Sequence, residues 1–253
     1  MMHAVRLASL LSAILLACSA AALDFAGREL VIPVISRVPG ANGTQWRTDV
    51  TLTNRNQIFP TQVSMIYDPA GPGEAIQRKF DLDPLMTVTL IDILRTEFGT
   101  QQSYGTLWLG SSNESAPIAA HARVYNVGNA SGEFGQLIQA LPHEQLPRTV
   151  WLHGLIGFLG NRANIGIANP NNTPAHYTIT WYDKHGSSHG SAGAFTIQPW
   201  DVVLINDIFG YLNMATDEGL TIRLISDVPL YAYGSIVRND TGDAYTIVGN
   251  GTR

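Results

Sequence analysis

The stretch from Arg47 to Ile93 occurs twice in this chain. Sliding it by 115 residues lays it on Arg162 to Ile208 without a gap, and eleven positions match. They are Arg47/Arg162, Asn54/Asn169, Asn56/Asn171, Tyr67/Tyr182, Asp68/Asp183, Gly71/Gly186, Phe80/Phe195, Pro84/Pro199, Val88/Val203, Asp92/Asp207 and Ile93/Ile208. Ordinary composition gives about three matches over such a length. A repeat of this size speaks about architecture before chemistry: whatever one copy folds into, the other is expected to fold into as well.

Within each copy the period is that of β-structure. Thr48 to Asn54 alternates, with Val50 and Leu52 on one face and Asp49, Thr51 and Thr53 on the other; Asn164 to Asn169 repeats the pattern with Ile165 and Ile167. Asn/Pro-rich turns follow at 54–60 and 169–174, and hairpin-type turns at 68–71 and 183–186. The strands 62–67 and 177–182 disagree in phase between the copies, which a one-residue slip or bulge would reconcile. Asp92 and Asp207 each precede an apolar stretch and read as N-caps of a short helical turn. Leu30 to Val38 reads as an edge or opening strand, because Pro33 removes a ladder donor. About seven short strands per unit is the pattern of a sandwich or barrel. The predicted fold class is therefore all-β: two tandem immunoglobulin-like antiparallel β-sandwiches, residues 23–146 and 147–253, joined through the Pro-bracketed segment Gln139 to Pro147.

The N-terminus reads as an export signal over residues 1–22. Arg6 supplies the positive n-region, Leu7 to Ala17 the apolar h-region, and Ala20-Ala21-Ala22 a cleavage site. A second reading takes Leu15-Leu16-Ala17-Cys18 as a lipoprotein box with Cys18 lipidated. Cys18 is the single cysteine, so the body of the chain is expected to hold no disulfide. The expected location is secreted or periplasmic, with anchoring through Cys18 as the alternative. No later stretch is apolar for the length a membrane helix needs. The net charge is −5 and no basic block occurs, which argues against nucleic acid as a partner.

Chemistry-bearing patterns are sparse. Arg47 and Asp49 fall on one side of their strand, away from the apolar face, and Arg123 and Tyr125 alternate on another strand. A guanidinium beside a carboxylate on a sheet face can hold an acidic or hydroxylated ligand bidentately, and it can equally pin two strands. Trp46 and Trp200 flank turns and are the tryptophans expected to be exposed, as a sugar-stacking platform requires, whereas Trp181 reads as core. His185 and His189 have no obvious third ligand, so no metal and no cofactor is expected. No G-x-S-x-G elbow occurs, and no carboxylate pair can be picked out.

The segments Ile32-Pro33-Val34, Arg37 to Thr44, Trp46-Arg47-Thr48-Asp49, Arg123 to Asn126 and Gly132 to Gln136 give a resemblance. They are similar to secreted bacterial proteins of unknown function that look like tandem immunoglobulin-like modules behind a signal peptide, sometimes appended to secreted enzymes. The resemblance implies fold and export, and no chemistry. Three functions stay open: a non-catalytic interaction or structural protein at the cell envelope, with a protein or polysaccharide as partner; a carbohydrate-binding module; and a hydrolase with its site at the junction of the units.

Overall fold

The computed structural model describes residues 25–40, 43–128, 132–214 and 219–252. The expected signal segment and Cys18 lie outside them. The described chain is all-β, with antiparallel sheets of nine, five and four strands, two single α-helical turns and a 3-10 turn at His143–Gln145. Among the described residues no helix is long and apolar enough to cross a membrane, which says nothing of a β-barrel.

The first half holds β1 (Glu29–Pro39), β2 (Gln45–Asn54), β3 (Thr61–Pro69), β4 (Ile76–Leu82), β5 (Thr87–Leu90), the helical turn α1 (Ile93–Thr96), β6 (Ser103–Ser111), β7 (Ile118–Asn126), β8 (Phe134–Gln139) and the short β9 (Leu141–Pro142). Their order is β4-β3-β6-β1-β2-β7-β8, with β5 beside β2 and β9 beside β1. The inward residues come from two facing layers. Leu30, Ile32, Met65, Leu107 and Leu109 meet Val50, Leu52, Ala122, Val124 and Ile138 in one buried cluster.

The second half holds β10 (Thr149–Leu155), β11 (Asn161–Ala168), β12 (Ala175–Tyr182), β13 (Ser188–Ile197), β14 (Val202–Ile205), the turn α2 (Ile208–Tyr211), β15 (Leu220–Ser226), β16 (Tyr231–Arg238), β17 (Ala244–Val248) and β18 (Asn250–Thr252). One sheet runs β13-β12-β15-β10-β18, the other β14-β11-β16-β17. Val150, Leu152, Ile179, Ile222 and Leu224 of the first sheet pack on Ile165, Ile167, Ile205 and Ile236 of the second.

The four-stranded sheet is apolar on both faces. Its other face presents Ala168, Val202, Tyr231 and Tyr233 to the core of the first half. Polar bonds join the halves there as well: Thr106 Oγ1 donates to the Trp200 carbonyl at 2.7 Å, and the Gly71 N–H to Asp201 Oδ1 at 3.2 Å. The expected linking segment takes part in the fold, since Leu141 pairs with Val31 and Leu146 is buried in the first core.

Two sequence expectations need correction, and a third can be located. β1 is no edge strand; it lies between β6 and β2, and Pro33 is accommodated where the β1–β6 register breaks between Ile32 and Ile35. A bulge leaves no ladder bond for proline to lose. Asp92 stands at the N-cap of α1 but makes no side-chain cap bond, because its carboxylate is drawn to Arg37 instead; Asp207 does accept from the Gly210 N–H. The expected phase slip falls in the turn before the strand: β3 buries Thr61, Val63 and Met65 and β12 buries Ala175, Tyr177 and Ile179, so the stretch from Asn169 to Ala175 is one residue shorter than that from Asn54 to Thr61. The inward counterpart of Tyr67 is then Trp181, and Trp181 packs on the second core as read.

Local geometry recurs at the repeat spacing. Leu85 and Trp200 have φ of 58° and 62°, Asp92 and Asp207 47° and 53°. A bulky side chain in the left-handed region costs about 1 kcal/mol or more, so each is held there by its surroundings.

The contact between halves predicts a pH dependence. Burial, and then the neighbouring Asp201 carboxylate, raise the Asp68 carboxyl above the ordinary aspartate range. A carboxyl raised in the folded state binds its proton more readily there than in the unfolded chain. Its cost is therefore fully present above the folded pKa and fades as pH falls through it toward the unfolded value. Asp68→Asn is expected to melt higher than the parent near neutral pH and equally below the ordinary aspartate pKa. A constant difference across that range in thermal unfolding would exclude Asp68 as the source.

Candidate functional site

The register of β2 on β7 brings the predicted residues together. Asp49 lies opposite Arg123 and Arg47 opposite Tyr125, all on the face turned away from Val50 and Leu52. Alternation dictates the face once the apolar residues point inward, and the strand register sets the pairs. The Asp49 carboxylate is nevertheless only 8% exposed. Its Oδ1 accepts from the Asp92 N–H at 2.9 Å and the Tyr125 hydroxyl at 3.0 Å; Arg123 Nη1 stands 3.8 Å from Oδ2. The Arg123 guanidinium lies 4.3 Å over the Tyr125 ring and reaches Glu133 at 3.1 Å. Gly135, opposite Tyr125, leaves room for the ring's stem; a Cβ there would come 2.6 Å from the Tyr125 Cβ. Burial first, and then the Asp49 carboxylate, push the Tyr125 phenol well above its ordinary range.

Two further members join this cluster without any sequence spacing that ties them to it. Arg37 Nε donates to Asp92 Oδ2 at 3.1 Å, and its Nη1 to the Gln101 carbonyl. Arg47 is more loosely held: its Nε is 3.9 Å from Asp92 Oδ2 and its Nη1 donates to the Trp46 carbonyl at 2.7 Å. Asp92 Oδ1 is sealed and meets no donor among the described residues. Arg37 sits 55 residues from Asp92, so no local spacing links them. The cluster's donors and acceptors are turned on one another, which suits clamping β1, β2, β7 and the α1 turn; only the outer edge of Arg123, with Glu133, faces solvent.

Trp46 points the other way. It lines a cleft of about 640 Å³ between the halves. Trp46, Tyr104 and Tyr233 supply aromatic walls, and Gln102, Gln136, Asn164 and Asn206 supply amides. Gln136 Oε1 accepts from Ser235 at 2.8 Å and Thr246 at 3.1 Å, fixing one wall to the other. Arg162 and Asp207 bring the charge. Burial lowers the Arg162 guanidinium from its ordinary value, with Asp207 opposing, and its Nη1 donates to Asn239 Oδ1 at 2.6 Å. Arg47, Asp49 and Arg123 are not in this cleft; the repeat partner of Arg47 is.

The remaining sequence candidates lie apart. Trp200 is half-buried, not exposed, and its backbone carbonyl accepts from Thr106. His189 Nε2 is 2.8 Å from Asp183 Oδ2, while Asp183 Oδ1 accepts the His185 and Ser187 N–H groups. That fixes a hairpin turn, and among the described residues no group of three metal-ligating side chains forms. The Trp151 cluster on the five-stranded sheet was missed, since a tryptophan in an alternating strand gives no sign of which layer covers it.

No protein-family model matches the chain, and no curated protein matches it. Among solved structures the chain has a distant likeness to Thermotoga maritima 1070. The TM-score is 0.35 and the identity 18%, over 42% of this chain and 95% of that one.

Proposed function

We propose that the chain is a non-catalytic binding protein, exported to the envelope or beyond, built from two tandem immunoglobulin-like sandwiches that arose by duplication. Support for duplication is the recurrence of side-chain roles, not of residue names alone. Asn54 and Asn169 each donate to an equivalent pair of carbonyls, Leu82 and Asp83 in one copy and Ile197 and Gln198 in the other, and the Asp92 and Asp207 N–H groups donate alike to the side-chain oxygens of Asp49 and Asn164. The observation that carries the binding role is the 640 Å³ cleft between the halves, a volume suited to a small ligand, with aromatic walls and convergent amides. An amide-rich lining with one Arg and one Asp suits a polar, largely uncharged ligand.

The test is a thermal-shift screen of residues 23–253 against small polar metabolites and oligosaccharides, followed by titration calorimetry on Trp46→Ala and Arg162→Gln. A hit is expected to weaken about tenfold or more in both variants. Hits indifferent to both variants, or none at all, would remove the cleft as the binding site.

A further inference from the structure

The structure carries a second candidate surface, on the far side of the second half from the cleft. The inner face of the five-stranded sheet is core: Val150, Leu152, Ile222 and Leu224 are buried. Strand alternation sends Trp151, Arg223 and Thr180 outward in one row, since Trp151 pairs with Arg223 and Arg223 with Thr180. Tyr182 and Thr221 form the next row, with His153 beside them. Trp151 is 5.7 Å from the Tyr182 ring, tilted 32°, and lies within 5° of parallel to His153 at 5.8 Å. These rings are half-exposed to exposed, and among the described elements no layer lies over them.

The guanidinium is the telling group. Arg223 lies 5.3 Å from the Trp151 ring, yet among the described residues it makes no hydrogen bond and no ion pair, and its Nε is sealed without a partner. Among the described residues no carboxylate forms an ion pair with it. A half-exposed guanidinium that no described group pairs, set beside half-exposed rings, offers its outer N–H groups to an outside anion. A planar aromatic surface asks for a flat, C–H-rich partner, and the Thr180 and Thr221 hydroxyls for a hydroxylated one.

We propose that this face binds an acidic saccharide: a sugar ring stacks on Trp151 and Tyr182 while its carboxylate engages Arg223. One cation on a chain of net charge −5 is too little for a phosphate backbone, which sets nucleic acid aside as the weaker occupant. The site is independent of the cleft and stands whether or not the cleft binds anything.

The experiment titrates residues 23–253 with a galacturonic acid trimer and with a neutral glucose trimer, read by calorimetry and by the indole N–H signals in NMR. The uronate is expected to bind saturably, move the Trp151 indole signal, and bind about tenfold or more tighter than the neutral trimer. Arg223→Gln is expected to erase that preference with an unchanged melting midpoint, and Trp151→Ala to remove binding of both sugars. Trp46→Ala is expected to leave uronate binding intact. Four outcomes would overturn the proposal: no saturable uronate binding by the parent, binding that survives both Arg223→Gln and Trp151→Ala, loss in Trp46→Ala, or tighter binding of a single-stranded oligonucleotide.

Discussion

Replacing Asn54 with alanine is expected to destabilise the protein by about 3 kcal/mol, a fall of about 6–12 °C in the melting midpoint of a chain of this size. The side chain is fully buried at the end of β2. Its Nδ2 donates to the carbonyls of Phe59, Leu82 and Asp83 at 2.9, 3.2 and 3.1 Å, and its Oδ1 accepts the Asn56 N–H at 2.9 Å. One amide thus holds the 54–60 turn against the end of β4. Alanine would take this donor away from the Phe59, Leu82 and Asp83 carbonyls in a fully buried corner, and each buried polar group left unsatisfied costs about 1–3 kcal/mol. Asn54→Asp is expected to be no better, because a carboxylate would face three carbonyl oxygens. Asn169→Ala is expected to cost a similar amount, since Asn169 donates to Thr173, Ile197 and Gln198 at 2.9, 3.1 and 3.0 Å. Equilibrium unfolding of the three variants decides it; a loss well under 1 kcal/mol would mean that water takes the amide's place.

That Asn pair also shows how far the sequence could be read. The repeat marked both asparagines, and alternation marked the inward faces of β2 and β11, because both signals are local or periodic. The turn type, the phase slip of β12 and the short helical turns were legible for the same reason. What was not legible depends on layers. Nothing in Ala168, Val202, Tyr231 and Tyr233 says that their face would be laid on the other half, while its counterpart in the first half keeps Thr51, Thr53, Thr87 and Thr89 in solvent-facing hydroxyl pairs at 3.0 Å. Nor could Pro33 be placed in a central strand, since a bulge is set by the partner strand and not by the proline. The Arg47–Asp49–Arg123–Tyr125 group was legible because alternation puts each pair on the outer face of its own strand; the register that sets Asp49 opposite Arg123 was not. Arg37 and Asp92 were not found in it, because a turn 55 residues away in sequence folds over the group from outside.

Asp49 is the residue on which that group depends, and its removal is the second large effect expected. Asp49→Ala would leave the Tyr125 hydroxyl and the Asp92 N–H without their acceptor and Arg123 without its inner partner. Breaking a buried charged network from one side costs about 3–5 kcal/mol. Asp49→Asn keeps Oδ1 as an acceptor and loses only the charge opposite Arg123, so it is expected to cost less than half as much. Arg47→Ala is expected to change stability by less than about 1 kcal/mol, since its guanidinium stands 3.9 Å from Asp92 and makes its close bond to its neighbour's carbonyl. Arg37→Ala should cost more than Arg47→Ala, because Arg37 supplies the direct 3.1 Å donor to Asp92. A double-mutant cycle between Asp49→Ala and Tyr125→Phe is expected to give a coupling of about 1–2 kcal/mol. A near-zero coupling with intact stability in Asp49→Ala would show that the carboxylate is not needed to hold β2, β7 and the α1 turn together. The same residues would then be free to serve a ligand, and the stability cost of keeping a carboxylate at 8% exposure would need a functional reason.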